Sequence, residues 1–487
     1  MTADTNKYHV LDRRRAGVLL HMTSLPGDQY GGKLAGSARR FVDFLVSSGF
    51  SVWQVLPLGP THDDGSPYQS LSAHAGNEGL ISRQWLLEQG LVTAGEVDLQ
   101  LTDCLRVGLS HVPELPDLQR QYDAFKAEHK YWLNDYAQFM LLRTLHGNSG
   151  WQQWPQPYRD REPAALAQLT QSHGDELALL QFGQFVFYQQ WHELKEYANR
   201  NGVKLFGDLP IFVSYDSADV WAHRDQFLLD DTGAAAVVAG VPPDYFSATG
   251  QRWGNPHYAW ERMTADGFQW WLQRIASQLE LYDLIRIDHF RGFESYWSIP
   301  ATEDVATNGV WVQAPGDALF AAVEKRFGKL PFVAEDLGII TPEVTRLRMK
   351  YNLPGMKILQ FAFDGDSYNP YLPHNHEANS VVYTGTHDND TNAGWFGKLS
   401  LETQQKIASY FCHPVDAMPW VIVAASMASV AKLAVVPLQD LLLLDSGHRM
   451  NTPGTTSGNW AWQFSWSMVP EDLPKRLRHL VGNYGRI

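Results

Sequence analysis

The sequence predicts an α/β fold, a single (β/α)8 TIM barrel spanning 1–487. Two observations support this prediction: eight short apolar or β-branched runs follow one another, and helical patterns lie between most of them. Length alone would also allow two to four ordinary domains. A doubly wound open sheet is the alternative fold, but eight strands in sequence favour closure. The predicted strands are Gly17–Leu20, Val52–Leu56, Lys204–Gly207, Leu284–Ile287, Pro331–Ala334, Lys357–Phe361, Val381–Thr384 and Leu433–Val436.

Amphipathic patterns predict a helix before each of several strands. These helices are predicted at Ser37–Ser48, Phe182–Ala198, Phe268–Leu281, Asp317–Phe327, Thr341–Met349 and Leu401–Phe411. The strands are unevenly spaced, since roughly 145 residues separate the second from the third and about 75 separate the third from the fourth. We therefore expect inserted subdomains at the catalytic face, 60–200 after strand 2 and 210–280 after strand 3. In the first insertion, Tyr131–Leu142 and Leu177–Tyr197 are predicted helical and Trp151–Pro163 a loop.

Charge and composition exclude several classes of partner. The chain has 53 acidic and 39 basic residues, and no segment concentrates Lys and Arg enough to bind a phosphate backbone. The first fifteen residues lack the apolar core of a signal peptide, and no run of about 18 apolar residues follows. We therefore expect a cytoplasmic protein that binds neither nucleic acid nor membrane. Cys104 and Cys412 lie far apart and are predicted to be reduced thiols.

Aromatic residues are abundant, with 18 Trp, 20 Tyr and 23 Phe, and many lie beside Gly, Pro or Asp. Such side chains can stack on the apolar faces of sugar rings. A large hydrophobic core accounts for them equally well. Composition alone therefore does not separate these two interpretations.

Acidic residues follow several of the predicted strands. Asp208, Asp288 and Glu335 each come directly after a strand, and His387 and Asp388 follow another. Because the carboxyl ends of barrel strands meet at one face, these side chains are predicted to share a cleft. Any one of them taken alone could be a helix cap or a turn residue.

Paired carboxylates in a cleft are the groups that retaining chemistry on glycosidic bonds requires. One attacks the anomeric carbon, and the other protonates the leaving oxygen and later deprotonates the acceptor. Arg286 lies two residues before Asp288, so both side chains point to the same face, where the cation would keep the aspartate ionised. The alternative is a purely structural Arg–Asp pair.

Several longer segments resemble the amylomaltases, or disproportionating enzymes, of glycoside hydrolase family 77. They are HMTSLPG, VLPLGPT, SPYQS, GDLPIFVSYDSADVW, PPDYFSATGQRWGNP, RIDHFRGFESYW, VAEDLG, GTHDNDT and MNTPGTTSGNW, and they occur in family order from about Arg15 to Trp462. The resemblance implies a 4-alpha-glucanotransferase acting on α-1,4-glucans such as maltose, maltooligosaccharides and amylose. It implies Asp288 as nucleophile, Glu335 as acid/base and Asp388 as stabiliser of the transition state.

The same resemblance implies a set of substrate-binding residues. His387 would bind sugar hydroxyls, Asp208 would support the nucleophile, and Tyr68 would be a platform for a glucose ring. The residues of the two loops that would cover the cleft are Asp244, Tyr245, Phe246, Trp253 and Asn459. His387 and Asp208 could instead be chiefly structural. We expect no metal and no organic cofactor, because no His/Cys/Asp cluster has ligand spacing and no glycine loop would cradle a phosphate.

Some positions depart from the family pattern, namely His74, Gln313, Ala314 and Gln463. They leave acceptor preference and local loop packing open, and they leave the three acids intact. Two alternatives stay open: an α-amylase-like hydrolase on the same barrel, and a non-catalytic α-glucan-binding protein. The sequence does not indicate an oligomeric state.

Overall fold

The computed structural model describes residues 10–243, 247–329 and 331–487. Its strands in chain order are β1 (Arg15–Leu19), β2 (Val52–Gln54), β3 (Lys204–Leu209), β4 (Val237–Val241), β5 (Gln251–Pro256), β6 (Leu284–Ile287), β7 (Ser295–Pro300), β8 (Val310–Gln313), β9 (Phe332–Ala334), β10 (Gly355–Ile358), β11 (Ser380–Tyr383) and β12 (Leu433–Pro437).

Eight of these strands form the predicted barrel. The parallel sheet has the order β10-β11-β12-β1-β2-β3-β6-β9. The two ends of this sheet meet where the amide of Ala334 donates to the carbonyl of Pro354 at 2.8 Å. The eight predicted strands are all present in the predicted order, and the (β/α)8 TIM barrel is confirmed.

One predicted strand is shifted along the chain. The sixth was predicted at Lys357–Phe361, whereas β10 spans Gly355–Ile358 and residues Leu359–Phe361 form a 3-10 turn. The strand can begin at Gly355 because a Cβ there would lie 2.5 Å from a carboxylate oxygen of Asp336. That carboxylate accepts a hydrogen bond from the amide of Met356 at 2.8 Å, which fixes the start of the strand.

Helices surround the barrel and fill the long connections. They are Gly36–Ser47, Arg83–Glu88, Leu101–His111, Pro116–Glu128, Leu133–Leu145, Gln156–Arg159, Pro163–Ser172, Gly174–Arg200, Ala218–Ala222, Trp260–Ala265, Gln269–Leu281, Gly316–Phe327, Pro342–Lys350, Asn392–Lys398, Leu401–Phe411, Met418–Ala428, Leu438–Leu441 and Leu473–Asn483. The segment predicted as a loop at Trp151–Pro163 contains the short helix Gln156–Arg159, which Pro155 introduces. The limits 60–200 and 210–280 for the insertions stay predictions.

A second, antiparallel sheet of order β5-β4-β7-β8 stands beside the barrel. Two of its strands lie between β3 and β6, and the other two lie between β6 and β9. The predicted covering-loop residues Asp244, Tyr245 and Phe246 lie between β4 and β5, outside the described residues. This sheet therefore connects the segments that follow two neighbouring barrel strands.

The barrel interior is a separate apolar cluster. Apolar side chains from the barrel strands fill it, including Leu19, Phe206, Val333 and Val435. Met450, from a loop after the last strand, is 5% exposed and joins the same cluster. The interior is thus a packed core, so the chemistry of the fold belongs to the strand ends.

Among the described residues, no single helix is both long and apolar enough to cross a membrane. Helix Leu401–Phe411 and the segment Val415–Ala428, bent by 81°, pass that test only as a pair, on length and composition.

Candidate active site

The candidate catalytic acids lie at the carboxyl ends of barrel strands. Asp208 lies in β3, paired in register with Arg286 of β6. Asp288 follows β6, and Glu335 follows β9, the next strand of the sheet. Asp388 follows β11 in the turn 384–391. The structure thus places these four acids in barrel strands or in the segments that directly follow them.

Arg286 connects two of the acids. Its Nη1 donates to Asp208 Oδ2 at 2.5 Å, and its Nη2 donates to Asp288 Oδ1 at 2.8 Å. The Arg286 side chain is 7% exposed, so these charge-assisted bonds act where water screens them little. Burial raises the pKa of the Asp208 carboxyl, and the charge of Arg286 opposes that rise. The bond to Asp288 places the guanidinium charge directly beside that carboxylate.

The chain turns sharply after Asp288, at His289. The backbone of His289 has φ 48° and ψ 51°, in the left-handed region that non-glycine residues seldom occupy. This turn aims the His289 amide at Glu335, whose Oε2 accepts from it at 2.7 Å. The amide of Leu337 donates to Oε1 at 3.1 Å. Glu335 is thereby fixed beside the residue that follows Asp288.

The Glu335 carboxyl is held in a state suited to proton transfer. Burial raises its pKa to about 7, and the charge of Asp288 acts in the same direction. Arg286 and the two backbone donors oppose this rise without cancelling it. A carboxyl group with this pKa can be protonated at neutral pH and can also take a proton back.

Asp388 has a different environment. Partial desolvation by the surrounding residues favours its neutral form. The charge of His387 and hydrogen bonds from His387 and Asn451 outweigh this effect and hold the pKa of the Asp388 carboxyl well below its usual range. His387 Nε2 lies 3.3 Å from Asp388 Oδ2, and Asn451 Nδ2 donates to Oδ1 at 2.6 Å. The Asp388 side chain is 46% exposed. It thus offers an ionised carboxylate to the cleft.

Three aromatic rings adjoin the acids. Tyr68 stacks on His387 with ring centroids 5.1 Å apart and planes 17° from parallel. Trp460 lies 5.9 Å from each of these rings. The Tyr68 hydroxyl donates to Asp208 Oδ2 at 2.8 Å, so the same carboxylate contacts both the platform and Arg286. The cluster provides an apolar face and polar groups of the kind that a sugar ring requires.

The remaining predicted binding residues occupy two loops. The Trp253 ring meets His289 edge-on at 4.9 Å, which supports the strained turn after Asp288. Asn459 instead faces its own loop: its Oδ1 accepts from the amide of Thr452 at 2.9 Å, and its Nδ2 donates to the carbonyl of Thr455 at 3.1 Å. In this structure the amide of Asn459 therefore closes a loop.

Of the positions that depart from the family pattern, His74 lines the same cavity as Tyr68 and Asp208. The buried His74 ring stacks on Trp132, with centroids 6.0 Å apart, and its Nδ1 is 2.9 Å from Ser277 Oγ. The amide of Ala314 donates to the carbonyl of Glu294 at 2.9 Å, directly after Gln313 ends β8. Gln463 is exposed.

Sequence reasoning did not single out Arg449, Asn451 or Trp460. The segment containing Asn451 and Trp460 was identified as a covering loop, but only Asn459 was assigned to the site from it. A possible signal was the unusual run of Asn, Thr and Gly between Met450 and Trp460, which predicts a loop rich in donors. No local pattern indicates that Asn451 reaches Asp388.

Among residues 10–243, 247–329 and 331–487, no group of three or more His, Cys, Asp or Glu side chains is arranged to hold a metal ion.

The barrel, the Glu335 carboxyl with its raised pKa and the two aspartates at neighbouring strand ends define the class of enzymes that act on glycosidic bonds through paired carboxylates. The 4-alpha-glucanotransferase model of glycoside hydrolase family 77 matches residues 20–468. The chain belongs to this family.

Named relatives and a solved structure agree with this assignment. The 4-alpha-glucanotransferase of Thermus thermophilus is 47% identical, over 96% of this chain and 98% of that protein. The 4-alpha-glucanotransferase of Synechocystis is 46% identical, over 98% of this chain and 99% of that protein. The amylomaltase of Streptococcus agalactiae, solved in complex with acarbose, superposes with a TM-score of 0.92 at 37% identity, covering 97% of this chain and all of that one.

Proposed function

We propose that this protein transfers segments of α-1,4-glucan between maltooligosaccharides, with retention of the α configuration. Family membership supports the reaction, and α-glucans serve as both donor and acceptor. The observation that carries the chemistry is a pair of acids, Asp288 and Glu335. Asp288 accepts a bond from Arg286 at 2.8 Å, and the pKa of Glu335 is raised to about 7. One group is suited to attack and the other to move a proton.

In the first step, an Asp288 oxygen forms a bond to the anomeric carbon while the bond to the leaving oxygen breaks. Glu335 gives its proton to that oxygen, and the shortened glucan departs. In the second step, Glu335 takes the proton of an acceptor 4-hydroxyl, which attacks the same carbon and releases Asp288. Two inversions at one carbon give net retention. Asp388 stabilises the positive charge that develops in both transition states.

Transfer and hydrolysis share the glucosyl-enzyme intermediate and differ in whether a sugar hydroxyl or water attacks it. A bound acceptor has a large effective concentration at the anomeric carbon, and a covered cleft restricts water. The Tyr68, His387 and Trp460 cluster supplies ring faces for binding glucan beside the acids. This arrangement favours transfer over the hydrolase alternative.

The test is incubation of the purified protein with maltotriose, with products resolved by chain length and reducing ends counted. Glucose and longer oligomers at constant reducing ends are the expected result. Rising reducing ends with only shorter sugars would show a hydrolase. If products are unchanged with both maltotriose and maltoheptaose, the protein is a binding protein and the proposal fails. A cytoplasmic location stays a prediction, which fractionation of the source cells tests.

A further inference from the structure

The segment Arg449–Asn451, here called the strap, contacts the His387–Asp388 pair at several points. Asn451 Nδ2 donates to Asp388 Oδ1 at 2.6 Å, and the Asn451 amide donates to the His387 carbonyl at 3.2 Å. Arg449 Nη2 donates to the backbone carbonyl of Asp388 at 2.8 Å. The strap thus holds both the backbone and the side chain of the transition-state stabiliser.

The strap is itself fixed by contacts with the barrel interior and with Trp460. Met450 packs in the barrel interior, and its sulfur lies 3.6 Å from the buried Ser24 hydroxyl. The amide of Trp460 donates to the carbonyl of Met450 at 2.8 Å, which closes the base of the loop. Arg449 Nε donates to the carbonyl of Asn451 at 3.1 Å. The backbone of Asn451 is therefore fixed by Arg449, and the preceding residue, Met450, is fixed by the barrel interior.

Asn451 supplies Asp388 with a donor that the other groups around it do not replace. His387 Nε2 faces the opposite oxygen, Oδ2, at 3.3 Å. Arg286 contributes its charge without a direct bond to Asp388, and the Tyr68 hydroxyl donates to Asp208. Arg449 bonds to the Asp388 backbone. Only the Asn451 amide, among the described side chains, donates to Asp388 Oδ1.

We propose that Asn451 is a positioning residue, which holds the Asp388 carboxylate in the one orientation that faces the developing positive charge. The inference rests on the proposed transfer reaction. A hydrogen bond to a charged carboxylate fixes its rotamer and favours its ionised form. Asn451 therefore acts through Asp388, and its loss is expected to affect the transition state more than substrate binding.

The experiment compares Asn451→Ala, Asn451→Asp and the control Thr455→Ala in the full-length protein. Thr455 donates to the carbonyl of Thr452 at 2.7 Å in the same loop and does not bond to Asp388. For Asn451→Ala, kcat with maltotriose is expected to fall on the order of 10- to 100-fold, with KM within about threefold. The acid limb of its kcat profile is expected to move to higher pH, because Asp388 then protonates more easily. Thr455→Ala is expected to keep kcat within about twofold.

Asn451→Asp distinguishes positioning of Asp388 from a merely structural role through the pH dependence of activity. At higher pH, a second carboxylate repels Asp388 and leaves it without a donor. As pH falls, the two carboxyl groups share a proton, and a protonated aspartate at 451 can donate to Asp388. Activity relative to the wild type is therefore expected to rise as pH falls in Asn451→Asp and not in Asn451→Ala.

Three results would overturn the inference. A rise in KM at unchanged kcat would mean that Asn451 binds sugar directly. Equal losses in Asn451→Ala and Thr455→Ala would mean that the loop matters only for packing. Unchanged activity in both Asn451 variants would remove the role altogether. Absence of transfer by the wild type would instead reject the proposed function, so the two failures are distinguishable. Circular dichroism checks that each variant is folded.

Discussion

The backbone amide of His289 donates to Glu335 Oε2 at 2.7 Å, which ties the proton-transfer residue to the turn directly after Asp288. The left-handed backbone of His289 makes this bond possible, and the edge-on Trp253 ring at 4.9 Å supports the turn. Strain at one residue therefore sets the relative placement of two acids that come from neighbouring strands.

Glu335→Gln and Asp288→Asn are expected to lower kcat with maltotriose by about 100- to 10,000-fold or more, because each removes one obligatory step. Maltosyl fluoride, whose leaving group needs no protonation, separates the two roles. Intact mass is expected to show one added maltosyl unit on Glu335→Gln and none on Asp288→Asn. Near-normal kcat in either variant, with folding confirmed by circular dichroism, would contradict the assignment.

The pH dependence of donor cleavage is expected to follow Glu335. Its carboxyl must be protonated to act as an acid, and its pKa is raised to about 7. Since deprotonation removes the acid, kcat/KM for maltotriose should fall as pH rises past about 7. The same measurement with maltosyl fluoride is the control. Because its leaving group needs no protonation, kcat/KM for this donor should fall less as pH rises past about 7. An identical limb for both donors would assign the titration to another group.

Tyr68→Phe and Tyr68→Ala are expected to differ. The first removes the hydroxyl that donates to Asp208 at 2.8 Å and keeps the ring stacked on His387. We expect kcat to fall about 10-fold in Tyr68→Phe, from the loss of one hydrogen bond to a charged group. Tyr68→Ala also removes the platform, so its KM should rise as well. Steady-state kinetics with maltotriose measures both, and equal KM values would argue against the platform.

Arg486 is predicted to be important for stability. Its side chain is fully buried and donates to the carbonyls of Met427, Ser429 and Arg15 at 2.7, 2.7 and 2.9 Å. Arg486→Ala removes all three of these bonds from a buried position, where Arg14 Nη2 still donates to the Met427 and Ser429 carbonyls. It is expected to lower the free energy of unfolding by about 2 kcal/mol or more. The matched control is Arg478→Ala, which removes an exposed bond to the Val46 carbonyl. This control should change the free energy of unfolding by less than about 0.5 kcal/mol. Urea unfolding measures both, and equal effects would contradict the prediction.

The barrel could be predicted because its signals are local. Each strand is a short apolar run, and Asp208, Asp288 and Glu335 lie in a strand or directly after one, where the fold requires acids to converge. The strand ends therefore predicted which residues meet without any knowledge of distant contacts. The catalytic roles of the acids stay predictions that the variants above test.

The other features of the fold and site could not be predicted because they depend on pairings between distant residues. The antiparallel sheet joins β4 to β7, which lie on either side of β6 in the chain, and no repeating sequence pattern connects these two strands. Asn451 and Asp388 are 63 positions apart, and no period or motif relates them. Asn459 was predicted as a ligand from its motif; in the structure its amide bonds within its own loop, and its role in binding stays a prediction.

The burial of Met450 in the barrel interior has a consequence for remodelling the enzyme. The loop that begins there is anchored at Met450 and closed by Trp460, whereas residues 453–458 are exposed. Exposed tips between fixed ends tolerate insertion and exchange well. Grafts limited to this tip should therefore leave the barrel and its acids undisturbed.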